Sequence, residues 1–158
     1  MKLHRIADGL SDLEVGKAAE HLVAADLILL GHRAYLSDQG LPYDVVVDID
    51  GRLIRIQVKA TRGQRPVPQR AAFLPGYQFN VRRAGKGGAR LYDGTEFEML
   101  ALVALDLRVI AYMPIDDGVR QNIILRPPGY DPAANASRKE NIDGFPFARA
   151  LARISAVA

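Results

Sequence analysis

The stretch from Tyr43 to Lys59, Tyr-Asp-Val-Val-Val-Asp-Ile, Asp-Gly, Arg-Leu-Ile-Arg-Ile-Gln-Val-Lys, constrains the fold more than any other part of the chain. Two runs rich in β-branched residues flank Asp50-Gly51, a pair suited to the tight turn of a β-hairpin. A two-residue turn sets the register: Ile49 lies opposite Arg52, and further down the ladder Asp44 lies opposite Gln57. Side chains alternate across a strand, so Val45, Val47, Ile49, Ile54, Ile56 and Val58 share one apolar face directed at a core. Asp44, Gln57 and Lys59 share the other, more polar face, with Lys59 a diagonal neighbour of Asp44.

A carboxylate and an amide carbonyl are hard oxygen ligands of the kind Mg²⁺ accepts, and the backbone carbonyl of Val58 adds a third. A bound metal acidifies a water and polarises a phosphoryl oxygen, while the Lys59 ammonium can orient that water or stabilise charge developing on the phosphate. Glu20 is a fourth candidate. It lies on a predicted helix among Gly16, Ala24, Leu13, Val23 and Leu27, and a carboxylate packed inward there needs a partner. Each residue taken singly also has a structural reading. Asp44 can cap a turn after Pro42, Gln57 can satisfy a backbone group, Lys59 can be an exposed strand lysine, and Glu20 can pair with Lys17 on a solvated face. Their convergence, next to the charge block described below, favours the chemical reading.

Ser11 can cap a helix running to about Leu30, with Asp12 and Glu14 in its first turn and Gly31 ending it. Arg33–Ser37 is a short predicted strand, and residues 38–42 are a turn cluster. After the hairpin, residues 61–76 read as a long Pro/Gly/Arg-rich loop, Tyr77–Arg82 as a strand and Arg83–Arg90 as a basic loop. Phe97–Leu105 and Val109–Pro114 read as two strands broken at Asp106, with helix as the alternative for the first, and Asn122–Arg126 as a last strand. Pro127–Asn141 is a polar loop, and Asp143 is placed to cap a final helix with Pro146 in its first turn. The 158 residues suit a single domain, with a core over about 9–115 and a C-terminal extension over 116–158.

The charge distribution narrows the partner. Residues 1–50 hold four Lys/Arg against nine Asp/Glu, and residues 93–158 hold seven against nine. Residues 51–92 hold ten Lys/Arg and no acid. Such a block suits a polyanion, with scattered solvated arginines as the plain alternative. Arg62, Arg65 and Arg70, followed by Arg82, Arg83, Lys86 and Arg90, are the candidate DNA phosphate contacts, which position a duplex without reading its sequence. The absence of cysteine excludes a disulfide framework, a thiolate metal site and a cysteine nucleophile. The N-terminus shows no signal-peptide pattern and the apolar runs fall short of a membrane span, so a cytoplasmic protein without membrane contact is expected.

With GKAAEHLVAADLILLG followed by PYDVVVDIDGRLIRIQVKAT, the segment Gly16–Thr61 resembles the PD-(D/E)XK nuclease superfamily: a helix bearing Glu, a strand bearing Asp, then acid-x-Lys. Here the last element is Gln57-Val58-Lys59, as in the branch of group I intron-associated homing endonucleases, and FEMLALVALDLRVIAYMP is similar to that branch's later strands. The resemblance implies an α/β, restriction-endonuclease-like core, a central mixed sheet flanked by helices. It implies Mg²⁺-dependent hydrolysis of DNA phosphodiesters, with Mn²⁺ as a possible substitute, by a homodimer or homotetramer. Residue by residue it implies metal binding at Asp44 and Gln57, catalysis by Lys59 and a supporting acidic role for Glu20. Gln57 removes one negative charge from the family pattern, so metal affinity should fall.

Other signals are weaker. His4, His21 and His32 do not form a metal cluster, and His21 points about 100° away from Glu20 around the helix. Gly85-Lys86-Gly87-Gly88 lacks phosphate-loop spacing. Tyr77, Phe79 and Tyr92 are expected to pack rather than stack on bases. Glu96, Glu98 and Asp106 are open additions to the site. The two competing functions are a catalytically inactive nucleic-acid-binding module of the same fold and an interaction domain for an acidic protein.

Overall fold

The computed structural model describes residues 1–66, 75–82, 92, 94–115, 122–130 and 140–157. Helix α1 spans Asp12–Leu29. Its N-terminus is closed by a reciprocal capping box in which Ser11 Oγ accepts from the Glu14 N–H and the Glu14 carboxylate accepts from the Ser11 N–H. Gly31, at φ 92°, turns the chain out of the helix. Strand β1 (Arg33–Leu36) leads to β2 (Val45–Ile49) and β3 (Arg52–Thr61). Between β2 and β3, Asp50 and Gly51 both take positive φ, 52° and 88°, and Asp48 Oδ1 accepts from the Gly51 N–H at 2.7 Å. The hairpin register is as expected, from Ile49 opposite Arg52 to Val45 opposite Ile56.

Strands β6 (Met99–Ala104) and β7 (Val109–Pro114) complete a five-stranded sheet in the order β1-β2-β3-β6-β7. Only β3 and β6 run parallel within it, so the central sheet is mixed. The first residues of the expected Phe97–Leu105 strand lie outside β6. A second, three-stranded sheet has the order β4-β5-β8, from β4 (Arg65–Pro66), β5 (Pro75–Asn80) and β8 (Asn122–Leu125). Strand β4 and the start of β5 fall in the stretch read as loop, because two residues of pairing leave no periodic signature.

Two cores share the central sheet. On one face Val45, Val47, Ile54, Ile56, Met99, Ala101 and Val103 pack against Val15, Ala19, Val23 and Leu27 of α1. Phe147, Ala150 and Ile154 of α2 (Phe147–Val157) pack on this same face. On the other face Leu100, Leu102, Ala104 and Ala111 pack against Tyr77, Phe79 and Leu125 of the small sheet. Both faces of β6 are thus covered, which is why Met99–Ala104 is apolar throughout. Asp143 does not cap α2: it lies in a 3-10 turn, Ile142–Gly144, and α2 begins directly after Pro146, whose carbonyl accepts from the Arg149 N–H at 3.1 Å. A proline is tolerated at a helix start because the first N–H groups have no partner within the helix.

Candidate active site

The site grows from the hairpin. Asp44, just before β2, continues the ladder by donating its N–H to the Ile56 carbonyl at 2.9 Å. Its side chain therefore meets Gln57: Gln57 Nε2 donates to Asp44 Oδ2 at 2.5 Å, and the Val58 N–H donates to the same oxygen at 2.8 Å. Gln57 Nε2 also reaches the Val58 carbonyl at 3.3 Å. The amide is 8 % exposed, so these groups meet in a setting with little water. Burial pushes the Asp44 carboxyl above the usual carboxylate range, and the nearby Glu20 charge adds to this. The Val58 N–H, Lys59 and Lys17 pull the other way without cancelling it.

Helix α1 supplies the acid and a base. Glu20 accepts from Lys17 Nζ at 2.7 Å, with the Glu20 side chain 12 % exposed and that of Lys17 40 %. Both residues act electrostatically on Asp44. The pairing of Glu20 with Lys17 and its proximity to the strand acid thus hold together.

Lys59 projects from β3 under the second layer. Its Nζ donates to the Arg82 carbonyl and to Tyr92 Oη, each at 3.0 Å, and lies 5.1 Å from the centre of the Tyr92 ring. Burial pulls its pKa down, while the charge of Asp44 opposes this. Tyr92 also packs edge-on against Phe97 at 4.9 Å between ring centres. It is therefore a packing residue, as its sequence setting suggests, and a polar partner of Lys59, which no local pattern announces.

The remaining candidates scatter. Arg62 lies along the surface, donating to the Leu10 carbonyl and lying 3.6 Å from the exposed Asp12, so its guanidinium ties the end of β3 to the start of α1. Arg65 is exposed at the start of β4, and Arg82 is half-buried beyond β5. Arg70, Arg83, Lys86 and Arg90 lie outside the described residues. Glu98 is engaged by Arg55, which donates from its N–H at 2.7 Å and from its guanidinium. Asp106 accepts from Tyr77 Oη at 3.2 Å, and Glu96 is buried. His32 packs edge-on against Phe147, and the backbone N–H of His4 donates to the Asp106 carbonyl. Among the described residues no three His, Cys, Asp or Glu side chains are grouped to hold a metal ion. Two cavities of about 470 and 490 Å³ lie beside residues 4–10, and none of Glu20, Asp44, Gln57 and Lys59 lines them.

The architecture and this cluster can be set against known proteins. A family model described as PD-(D/E)XK endonuclease matches residues 10–141. The chain belongs to the PD-(D/E)XK endonuclease family. Among solved structures it is similar to a bacterial homing endonuclease, I-Ssp6803I, with a TM-score of 0.68 at 19 % identity, over 94 % of this chain and 97 % of that one. The five-stranded mixed sheet with its N-terminal helix is thus a restriction-endonuclease-like fold. No curated protein matches the sequence. Membership of the PD-(D/E)XK family supports a nuclease function and implies a DNA substrate, in a family that generally uses divalent metal ions.

Proposed function

We propose that the protein is a metal-dependent DNA endonuclease in which Asp44, Gln57 and the Val58 carbonyl hold a Mg²⁺-class ion and Lys59 acts on the scissile phosphate. The observation behind this is that Asp44 Oδ2 and the Val58 carbonyl both lie within reach of one atom, Gln57 Nε2. The two ends of an amide are nearly isosteric, so a half turn would put Oε1 in the place of Nε2, beside two further oxygens, an arrangement that a cation would relieve. A buried acid held above its usual range is relieved by a cation. The donor set therefore fits Mg²⁺, which keeps several waters and needs few protein ligands, and Mn²⁺ in its place.

When bound, such an ion supplies Lewis acidity toward a phosphoryl oxygen and an attacking water. The chain supplies position. Two of the three N–H bonds of Lys59 are committed to Arg82 and Tyr92, which leaves one to meet charge developing on the phosphate. Glu20 adds a supporting negative charge from α1. Arg65, Arg82 and the basic residues beyond them furnish phosphate contacts, and Arg62, anchored to Leu10 and Asp12, supports them. Cutting both strands of a duplex takes two such sites, so the active form is a homodimer or homotetramer.

Supercoiled plasmid and a synthetic four-way junction, each incubated with and without Mg²⁺ or Mn²⁺ beside Lys59→Ala, test this. Metal-dependent cutting by the wild type alone supports it, and the preferred substrate separates duplex from branched DNA. Equal cutting by Lys59→Ala overturns the site. A second reading, an inactive DNA-binding module, rests on the neutral Gln57 where the family pattern has an acid. It predicts salt-sensitive binding without cleavage under any divalent metal.

A further inference from the structure

Among the described residues, the charges that act on one another around Asp44 cancel without a metal ion. Glu20 and Asp44 are the acids, Lys17 and Lys59 are the bases, and Gln57 is neutral. Lys59 is committed to the second layer through Arg82 and Tyr92 and cannot leave without breaking both bonds. Lys17 differs. It sits on the outer side of α1, its side chain is 40 % exposed, and its only described partner is Glu20 at 2.7 Å. The charge of Asp44 also acts on it, so its ammonium answers both acids at once. A helical spacing of three residues makes this contact local and lets it re-form after each excursion.

We propose that Lys17 is an internal competitor of the divalent cation: its ammonium occupies the Glu20 carboxylate and offsets Asp44, so that metal binding requires Lys17 to give way. The inference rests on the metal site proposed above and adds a residue that sets its affinity. A divalent ion at Asp44 and the Lys17 ammonium that Glu20 holds beside it repel each other, and this lowers the affinity of whichever arrives second. With one family acid replaced by Gln57, the site has little surplus negative charge with which to overcome that repulsion. The exposed stem of Lys17 allows the ammonium to turn outward, where a DNA phosphate is a ready partner.

Binding of Mn²⁺ to the full chain without DNA, followed by the paramagnetic signal of the free ion, tests this directly. Lys17→Met should bind Mn²⁺ about tenfold more tightly than the wild type, the order expected for removing one half-exposed unit charge whose field on the ion is screened by water. Lys2→Met, with the same change in net charge, should not. The gain should shrink when Lys17→Met is made in a Glu20→Gln background, which removes the carboxylate that holds Lys17 beside the site. Thermal unfolding of each variant shows that it is folded, and Lys17→Gln serves as a second neutral variant. Equal or weaker Mn²⁺ binding by Lys17→Met and Lys17→Gln overturns the proposal. If Asp44→Asn still weakens binding in that case, the metal site itself stands. Binding that ignores Asp44 altogether means that the metal site was misassigned.

Discussion

Lys59 and Tyr92 are joined across the two layers of the molecule: the ammonium of the central strand β3 donates to the phenol oxygen of the second core at 3.0 Å. The bond orients a side chain that could otherwise sample many rotamers, and it does so with a ring that is itself held by Phe97. Tyr92→Phe keeps the ring and removes the acceptor. Single-turnover cleavage should fall about tenfold, the cost of one positioning hydrogen bond, with little change in melting temperature. Unchanged cleavage would show that the Arg82 carbonyl positions Lys59 unaided.

Gln57→Glu restores the acid of the family pattern and removes one of the two donors to Asp44 Oδ2. Two carboxylates then face each other in a buried setting. Without divalent metal the variant should be less stable by about 1–3 kcal/mol. Its melting temperature should rise more steeply with added Mg²⁺ than that of the wild type. A variant that ignores Mg²⁺ would count against the ion site.

Asp44 makes stability depend on pH in a defined direction. Its folded-state value lies above the ordinary one, chiefly through burial, so the native state holds the extra proton. Stability from this group is therefore greatest at low pH and falls as pH rises from the ordinary carboxylate range through the raised value. Asp44→Asn removes that fall. Relative to the wild type, the variant should gain stability with rising pH in urea unfolding without metal, and added Mg²⁺ should narrow the difference. A gain that shrinks with rising pH would reverse the sign assigned to this carboxyl.

Glu98 behaves in the opposite way. Burial alone would raise its pKa, but the side-chain and backbone hydrogen bonds from Arg55 outweigh that and hold it below the usual range. Its contribution is present above the ordinary Glu value and lost as pH falls through the depressed one. Glu98→Gln should flatten that acid limb of the stability curve while leaving the alkaline side unchanged in shape.

Ser11→Ala opens the capping box at the start of α1, the helix that presents Lys17 and Glu20. The expected loss is about 1 kcal/mol in denaturant unfolding, with the denaturant dependence unchanged.

Much of this architecture is legible in one dimension. The Asp50-Gly51 turn joins adjacent strands, so its geometry alone sets which residues face each other, and the Asp44–Gln57 contact follows by counting. The α1 cap and the Lys17–Glu20 spacing are equally local. The pairing of β3 with β6, across a long connection, is not local, and neither is the second layer that buries Lys59. The face bearing Gln57 and Lys59 is polar toward β2, whereas toward β6 it meets Leu100 and Leu102 beneath the small sheet. Arg62 belongs to a basic block suited to DNA, yet it meets Leu10 and Asp12, partners that neither charge nor spacing could have named.

By itself, then, the sequence determined the hairpin, its register and the trio on one face, because period-two alternation and a two-residue turn leave the backbone a single way to pair. The tertiary structure decided which partners those residues keep. It brought Tyr92 and Arg82 to Lys59, tied Arg62 to Leu10 and Asp12, and laid the small sheet on the sheet face that carries Lys59. Those contacts join residues far apart in the chain, and they depend on how two layers pack, which no local pattern encodes.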